Sequence, residues 1–188
     1  TWLLIAVAGI ASAAALIMYS PSRRIRFEAW LNPDGADPMG VRWQFEHGTW
    51  ALASGGIFGT GLGRSKLKWS WIPEVENDFI FAVIGEELGL VGAGAVILLF
   101  LAMGLVLFAM VRLQTDPFNR NIVVGVMFWI VMQAFINIGV VLGLFPVLGV
   151  PLPLISAGGS SLIATMLAIG VVLAAERDRM SHLGRRRT

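Results

Sequence analysis

The sequence predicts an all-α, polytopic membrane protein. Of its 188 residues 56% are hydrophobic and 14% charged, whereas a soluble domain carries about a quarter charged residues. Apolar runs recur at close to the roughly 20 residues that a helix needs to cross a bilayer core. Between them lie turn-forming stretches such as "WLNPDGADPMG" and "PVLGVPLPLISA".

Four spans follow in order. "TWLLIAVAGIASAAALIMYS" opens the chain. It has no basic start, and its apolar run continues past the small-residue "ASA", so it reads as a spanning helix over residues 2–19 and not as a signal peptide. With no initiator methionine, the chain reads as the C-terminal part of a longer protein. The second span covers 79–111, more than one crossing needs, so its beginning is expected to project from the membrane or the helix to tilt. The third covers 122–145. A Pro-rich re-entrant loop at 146–157 leads into the fourth, 158–175, and a basic tail at 176–188.

Basic residues near helix ends set orientation. Arg177, Arg179 and Arg185 to Arg187 follow the last span and read as a cytoplasmic anchor. Alternation then puts the 146–157 loop and a large loop at 20–77 outside, and the turn with Arg112 and Arg120 inside. The outer loop holds seven basic residues, but long loops carry little weight in the rule. Its segment "WQFEHGTWALASGGIFGTGLG" is too short to span and suits an interfacial or re-entrant element.

Several function classes are excluded early. A net charge of +2 gives no support for nucleic acid as a partner. The absence of cysteine excludes disulfides and thiolate metal sites, and His47 and His182 are too far apart in sequence to suggest a metal cluster.

Chemistry centres on "PEVENDFIFAVIGEELGLVG". Asp78 stands one residue before the apolar run, where it could cap the helix beginning at Phe79. It could equally be a general base at the membrane surface, within reach of a sugar hydroxyl. Glu86 and Glu87 point about 100° apart on a helix, and Glu86 lies near the Asp78 face if the helix is continuous. Intramembrane carboxylates are costly unless they pair, face water or react. Arg64, Lys66 and Lys68 suit a phosphate-bearing lipid, as substrate or as bulk headgroup. The stretch around Gly159 and Ser160 could offer free N–H groups and a hydroxyl to an anion, or be a plain helix cap. Irregular backbone at this depth needs a cavity or protein cover, so Gly159 and Ser160 are expected to line a cavity. Gln133 and Asn137 share a helix face, and Gly139 and Gly143 form a small-residue pair. Both read as helix packing.

"GGIFGTGLGRSKLKWSWIPEVENDFIFAVIGEELGLVG" and "INIGVVLGLFPVLGVPLPLISAGGSSL" together resemble the SEDS family, the FtsW/RodA/SpoVE membrane glycosyltransferases of bacterial cell-wall synthesis. The resemblance runs from about Trp30 to Arg179 and is stronger to the division-type FtsW branch. It implies a fold of about ten spanning helices, of which this chain would be the last four. The family's essential aspartate sits in a Pro-Glu-x-His-Thr-Asp-Phe pattern whose match is Asp78, with Glu76 and Asn77 in the His-Thr places. Ala157 stands where the second motif has tyrosine, and Gln44 matches a glutamine usual in the outer loop.

The resemblance implies polymerisation of lipid II into glycan strands during septal wall synthesis at the plasma membrane. Asp78 would be the general base, and Gln44, Arg64, Lys66, Lys68, Glu86, Gly159 and Ser160 would be substrate contacts. It implies a class B penicillin-binding transpeptidase and other division proteins as partners, besides membrane lipids. No cofactor is required by the motifs, though a divalent metal such as magnesium or manganese would suit the leaving diphosphate. The chain by itself is expected to be inactive. Two other classes compete. A lipid-precursor flippase would concentrate polar groups near the midplane, and these spans hold few there. A non-catalytic division scaffold would make Asp78 dispensable.

Overall fold

The computed structural model describes residues 12, 19–32, 35, 40–65 and 78–185. The expected span over 2–19 lies outside these residues but for Ser12 and Tyr19, and Lys66 and Lys68 lie outside them entirely. Among the described residues five helices follow in order: α1 (Pro21–Leu31), α2 (Val41–Ser54), α3 (Ile80–Leu113), α4 (Pro117–Val141) and α5 (Gly159–Arg185). The class is all-α, with no strand among the described residues. Among the described residues three helices, α3, α4 and Gly159–Ser181 of α5, are long and apolar enough to cross a membrane. Many of their large apolar side chains face outward, Leu98, Leu99, Leu105, Phe128 and Leu167 among them, as a lipid-facing surface requires.

The ends of α4 show how the local sequence sets the elements. Asp116 caps its start by accepting from the Asn119 N–H at 2.9 Å, and Pro117 occupies the first turn, where its missing N–H costs nothing. At the other end Gly143 takes φ 79°, Gly143 N donates to Val140 O at 3.0 Å, and Leu144 N donates to Gly139 O at 2.8 Å. This is a Schellman stop, and it needs the left-handed residue that glycine supplies. The Gly139 and Gly143 pair also makes room for rings. A Cβ would stand 2.6 Å from Phe145 at Gly139 and 2.7 Å from Phe45 at Gly143.

α1 and α2 are too short to span and gather at one end of the bundle. Trp30 Nε1 of α1 donates to Gly143 O at 3.0 Å, and Arg26 Nη1 donates to Val147 O at 3.3 Å. Gly48 of α2 accepts the Phe79 ring so closely that a Cβ there would lie 2.7 Å from it. The core at this end joins Ala51, Phe79, Phe81, Ala82, Ala134, Val141, Val147 and Leu152. At the opposite end Leu107, Val111, Val123, Val172 and Ala175 form a second core. Polar ties flank it: Gln114 to Glu176 at 3.1 Å, Asn119 to Asp178 at 3.3 Å, and an Arg179–Glu176 ion pair. The described residues of 20–65 and the 142–158 connection therefore share one end, and the 114–116 turn sits with residues 176–179 at the other.

The chain has no native thiol, so this arrangement is open to cysteine labelling. With the basic end inside, Leu148→Cys should react with an impermeant thiol reagent in intact cells and Thr115→Cys should not. Both are exposed in the structure. Labelling of Thr115 alone would invert the orientation.

The excess length of the second span is explained by a break. Gly89 takes φ 68° and ψ −165°, so α3 is two helical pieces joined at a kink. The piece over 90–113 is about 36 Å long, enough for one crossing. A continuous helix would pair Leu90 N with Glu86 O and Val91 N with Glu87 O. Here a loop from α2 takes all four groups. Thr60 N donates to Glu86 O at 2.9 Å and Gly61 N to Glu87 O at 3.1 Å, while Leu90 N donates to Gly56 O at 2.9 Å and Val91 N to Ile57 O at 3.2 Å. The Gly-rich segment 55–61 is thus spliced into the helix, and these four groups at the kink keep partners.

Candidate functional site

Asp78 stands two residues before the start of α3. The cap position of α3 falls on Phe79, one residue further on.

Its backbone is held from α4. Asn137, 1% exposed, donates through Nδ2 to Asp78 O at 3.0 Å and to Val150 O at 2.7 Å. One turn earlier Gln133 donates to Pro151 O at 2.9 Å. These amides were expected to pack helix on helix. They instead satisfy carbonyls of a connection whose prolines deny it a ladder of its own. The connection folds back on itself beyond them: Leu152 N donates to Ser156 Oγ at 2.7 Å, Leu154 adopts φ 65°, and Leu152 and Pro153 are buried. Asn137 Oδ1 is buried with no hydrogen-bond partner.

The side chain of Asp78 faces α1 across Gly149. A Cβ at Gly149, where φ is 69°, would stand 3.6 Å from Asp78 Oδ2 and 3.6 Å from Arg26 Nη1. Both are ordinary contact distances, and glycine suits the left-handed backbone at this position. Arg26 also lines a cavity of about 360 Å³ with Ser20, Ser22, Arg23 and Gly149, and a second of about 270 Å³ with Trp30, Arg42 and Phe45.

The other sequence candidates are scattered. Gln44 is half-buried on α2, and Arg64 is exposed in the loop after it. Glu86 is 3% exposed, and its Oε2 accepts from Ser65 Oγ at 2.6 Å. Its carboxylate fastens the spliced loop and does not reach an open cavity, because burial and Ser65 have already engaged it. Gly159 and Ser160 lie exposed in the first turn of α5, and a Cβ at Gly159 meets nothing within 4 Å. Among the described residues no group of three or more His, Cys, Asp or Glu could hold a metal ion.

Sequence reasoning passed over Arg23 and Arg26. One signal could have found them. They are three apart on α1 and share a face, while Arg24 sits at the right spacing to pair with Glu28. That pair forms at 2.6 Å, and the hydrogen bond and charge of Glu28 push the Arg24 guanidinium pKa up.

Fold and site define an all-helical integral membrane chain that gathers a carboxylate and two guanidiniums at one end of its bundle. Residues 1–181 match the cell cycle protein family FtsW/RodA/SpoVE, and the chain belongs to that family. It is 47% identical over 168 residues to the "Probable peptidoglycan glycosyltransferase FtsW" of Mycobacterium tuberculosis, covering 89% of this chain and 32% of that protein. To stage V sporulation protein E of Bacillus subtilis it is 40% identical over 172 residues, 90% of this chain and 46% of that one. Among solved structures it matches a chain described under the structural coordination of polymerization and crosslinking by a peptidoglycan synthase complex. There the TM-score is 0.70 and the identity 32%, over 94% of this chain and 48% of that chain. The chain thus spans less than half the length of these relatives.

Proposed function

We propose that the chain carries the general base of a peptidoglycan glycosyltransferase that polymerises lipid II at the division septum of the plasma membrane. One observation carries the reading: Asp78 stands just before α3 with its backbone clamped by the buried Asn137. Its Oδ2 and Arg26 Nη1 approach Gly149 from either side, and Gly149 and Arg26 line a cavity there. A base must be held still within reach of the proton it removes. Asp78 takes the proton of the acceptor's 4-hydroxyl, the oxygen attacks the donor's anomeric carbon with inversion, and the lipid diphosphate departs. Family membership and the FtsW names among the relatives support the activity and the division-type assignment.

In this reading Gln44, Arg64, Lys66, Lys68, Gly159 and Ser160 touch substrate only once the cavity is completed by the portion of the relatives that this chain does not span. Glu86 serves the architecture. A class B penicillin-binding transpeptidase is the proposed partner, supported by the solved neighbour's description as a peptidoglycan synthase complex. Orientation with the Asp78 end outside fits a substrate displayed on the outer leaflet.

The test is polymerisation in detergent, where no second leaflet exists. The intact purified protein should convert lipid II to glycan strands there. A protein that moved lipid II across vesicles and formed no strand would make transport the correct reading.

A further inference from the structure

We propose that Asn137 is the positioning residue of the base: one buried amide on α4 sets the place of Asp78 relative to the stretch of chain that its side chain faces. This rests on the glycosyltransferase reading above and adds the residue that holds the site in register.

Asn137 joins two segments that are far apart in sequence. Its Nδ2 donates to Asp78 O at 3.0 Å and to Val150 O at 2.7 Å. Ala82 N and Val83 N both donate to Phe79 O, so the ladder of α3 is anchored on residue 79, and Asn137 ties the carbonyl before it across to α4. Val150 follows Gly149, whose Cβ position lies 3.6 Å from Asp78 Oδ2. One NH₂ group therefore fixes both the main chain that carries the carboxylate and the main chain beside which the carboxylate stands. The support is firm. Ala134, Val140 and Val141 of α4 are buried in one core with Phe79, Phe81 and Leu152, and a group on a packed helix is placed more precisely than one on a loop.

The amide is kept at a cost. Asn137 Oδ1 is buried with no hydrogen-bond partner among the described residues, a state that costs about 1–3 kcal/mol. Leucine would fit the site with no orphan acceptor, but it would release both carbonyls. An orphan of this kind calls for an explanation, and holding two chains at one spacing supplies it. Gln133 lets that role be told apart from packing. One turn earlier it makes the same kind of bond, Nε2 to Pro151 O at 2.9 Å, but to the connection alone. Losing Gln133 loosens the connection, whereas losing Asn137 frees the connection and the base together. Asn137 is 1% exposed, so it acts through Asp78 and not on substrate. Its effect belongs in kcat, since a misplacement of about 1 Å costs on the order of 10²-fold in rate.

The test supplies the intact protein with lipid II in detergent and reads kcat and KM for strand formation separately. Asn137→Leu removes both donors at nearly constant shape, and should lower kcat about 10²-fold while KM stays within about threefold. Asn137→Gln keeps both N–H donors on a side chain one methylene longer. It satisfies the carbonyls but displaces what they hold, so kcat should fall about tenfold in a protein that still elutes as wild type. If Asn137→Leu does not fold, Asn137→Gln carries the test alone, because it would rescue an amide whose role was only to satisfy carbonyls. Gln133→Leu should keep kcat within about threefold of wild type. In an Asp78→Asn background Asn137→Gln should slow the reaction no further, since both changes act on one group. An error about the base shows as a wild-type rate in Asp78→Asn alone, and an error about Asn137 as losses that multiply. Wild-type kcat in Asn137→Gln, or a loss in Gln133→Leu as large as in Asn137→Leu, would overturn the proposal.

Discussion

Asp78→Asn in the intact protein is expected to lower glycan-strand formation from lipid II by about 10²–10⁴-fold, the range that proton abstraction contributes. Expression, monodispersity and thermal unfolding should stay at wild-type values. Two features separate catalysis from folding at this position. The helix cap falls on Phe79, one residue beyond the substitution. The clamp from Asn137 reaches the backbone oxygen of residue 78 and not its side chain, so it survives the change. Asn keeps the shape and loses the base. Glu86→Gln is the informative comparison. Its carboxylate is buried against Ser65, and an amide oxygen can accept the same bond, so the rate should stay within a few-fold while thermal stability drops slightly. Wild-type polymerisation by purified Asp78→Asn would remove the general base from the reading and favour a scaffold.

How much of this was legible beforehand follows from the range of each interaction. Spans are legible because hydrocarbon demands long apolar runs whatever the tertiary structure. Asp78 was legible because a charge at the edge of such a run stands out. The Gly89 break was not, since a break repaired by a distant loop leaves the hydropathy of the run intact. Only the surplus length of the second span hinted at it, and tilting would have explained that equally. The partners of Asn137 were hidden for a similar reason. A polar pair on an apolar helix announces that it needs partners, but not that they are carbonyls 13 and 59 residues away. Arg26 was lost among the basic residues of a long loop. Only folding shows that Glu28 takes Arg24 and leaves Arg26 facing Gly149.

Gly59→Ala is expected to cost on the order of 5 kcal/mol, enough to exhaust the stability of many domains, and so to leave little folded protein. Gly59 adopts φ 80°, and a Cβ there would stand 2.1 Å from Glu87 O and 2.7 Å from Gly89 N. Neither is the tip of a flexible side chain, so the loop must leave the helix break. Gly89 across the splice is equally constrained, with φ 68° and a Cβ position 2.4 Å from Gly59 N. Displacing the loop strips Glu86 O, Glu87 O, Leu90 N and Val91 N of their partners together. Each lost bond costs about 1 kcal/mol or more where water cannot replace it, and left-handed strain on alanine adds about 1–2 kcal/mol. Gly56 separates strain from collision. It has φ 53° but nothing within 4 Å of its Cβ position, so Gly56→Ala should pay the strain alone and lower the melting temperature by only a few degrees. Gly94→Ala, helical and in open space, should melt at or above wild type. The three are compared by thermal unfolding on a size-exclusion column. If Gly59→Ala melted with Gly56→Ala, the close approach would not hold the break together, and the kink would have to stand on Gly89 alone.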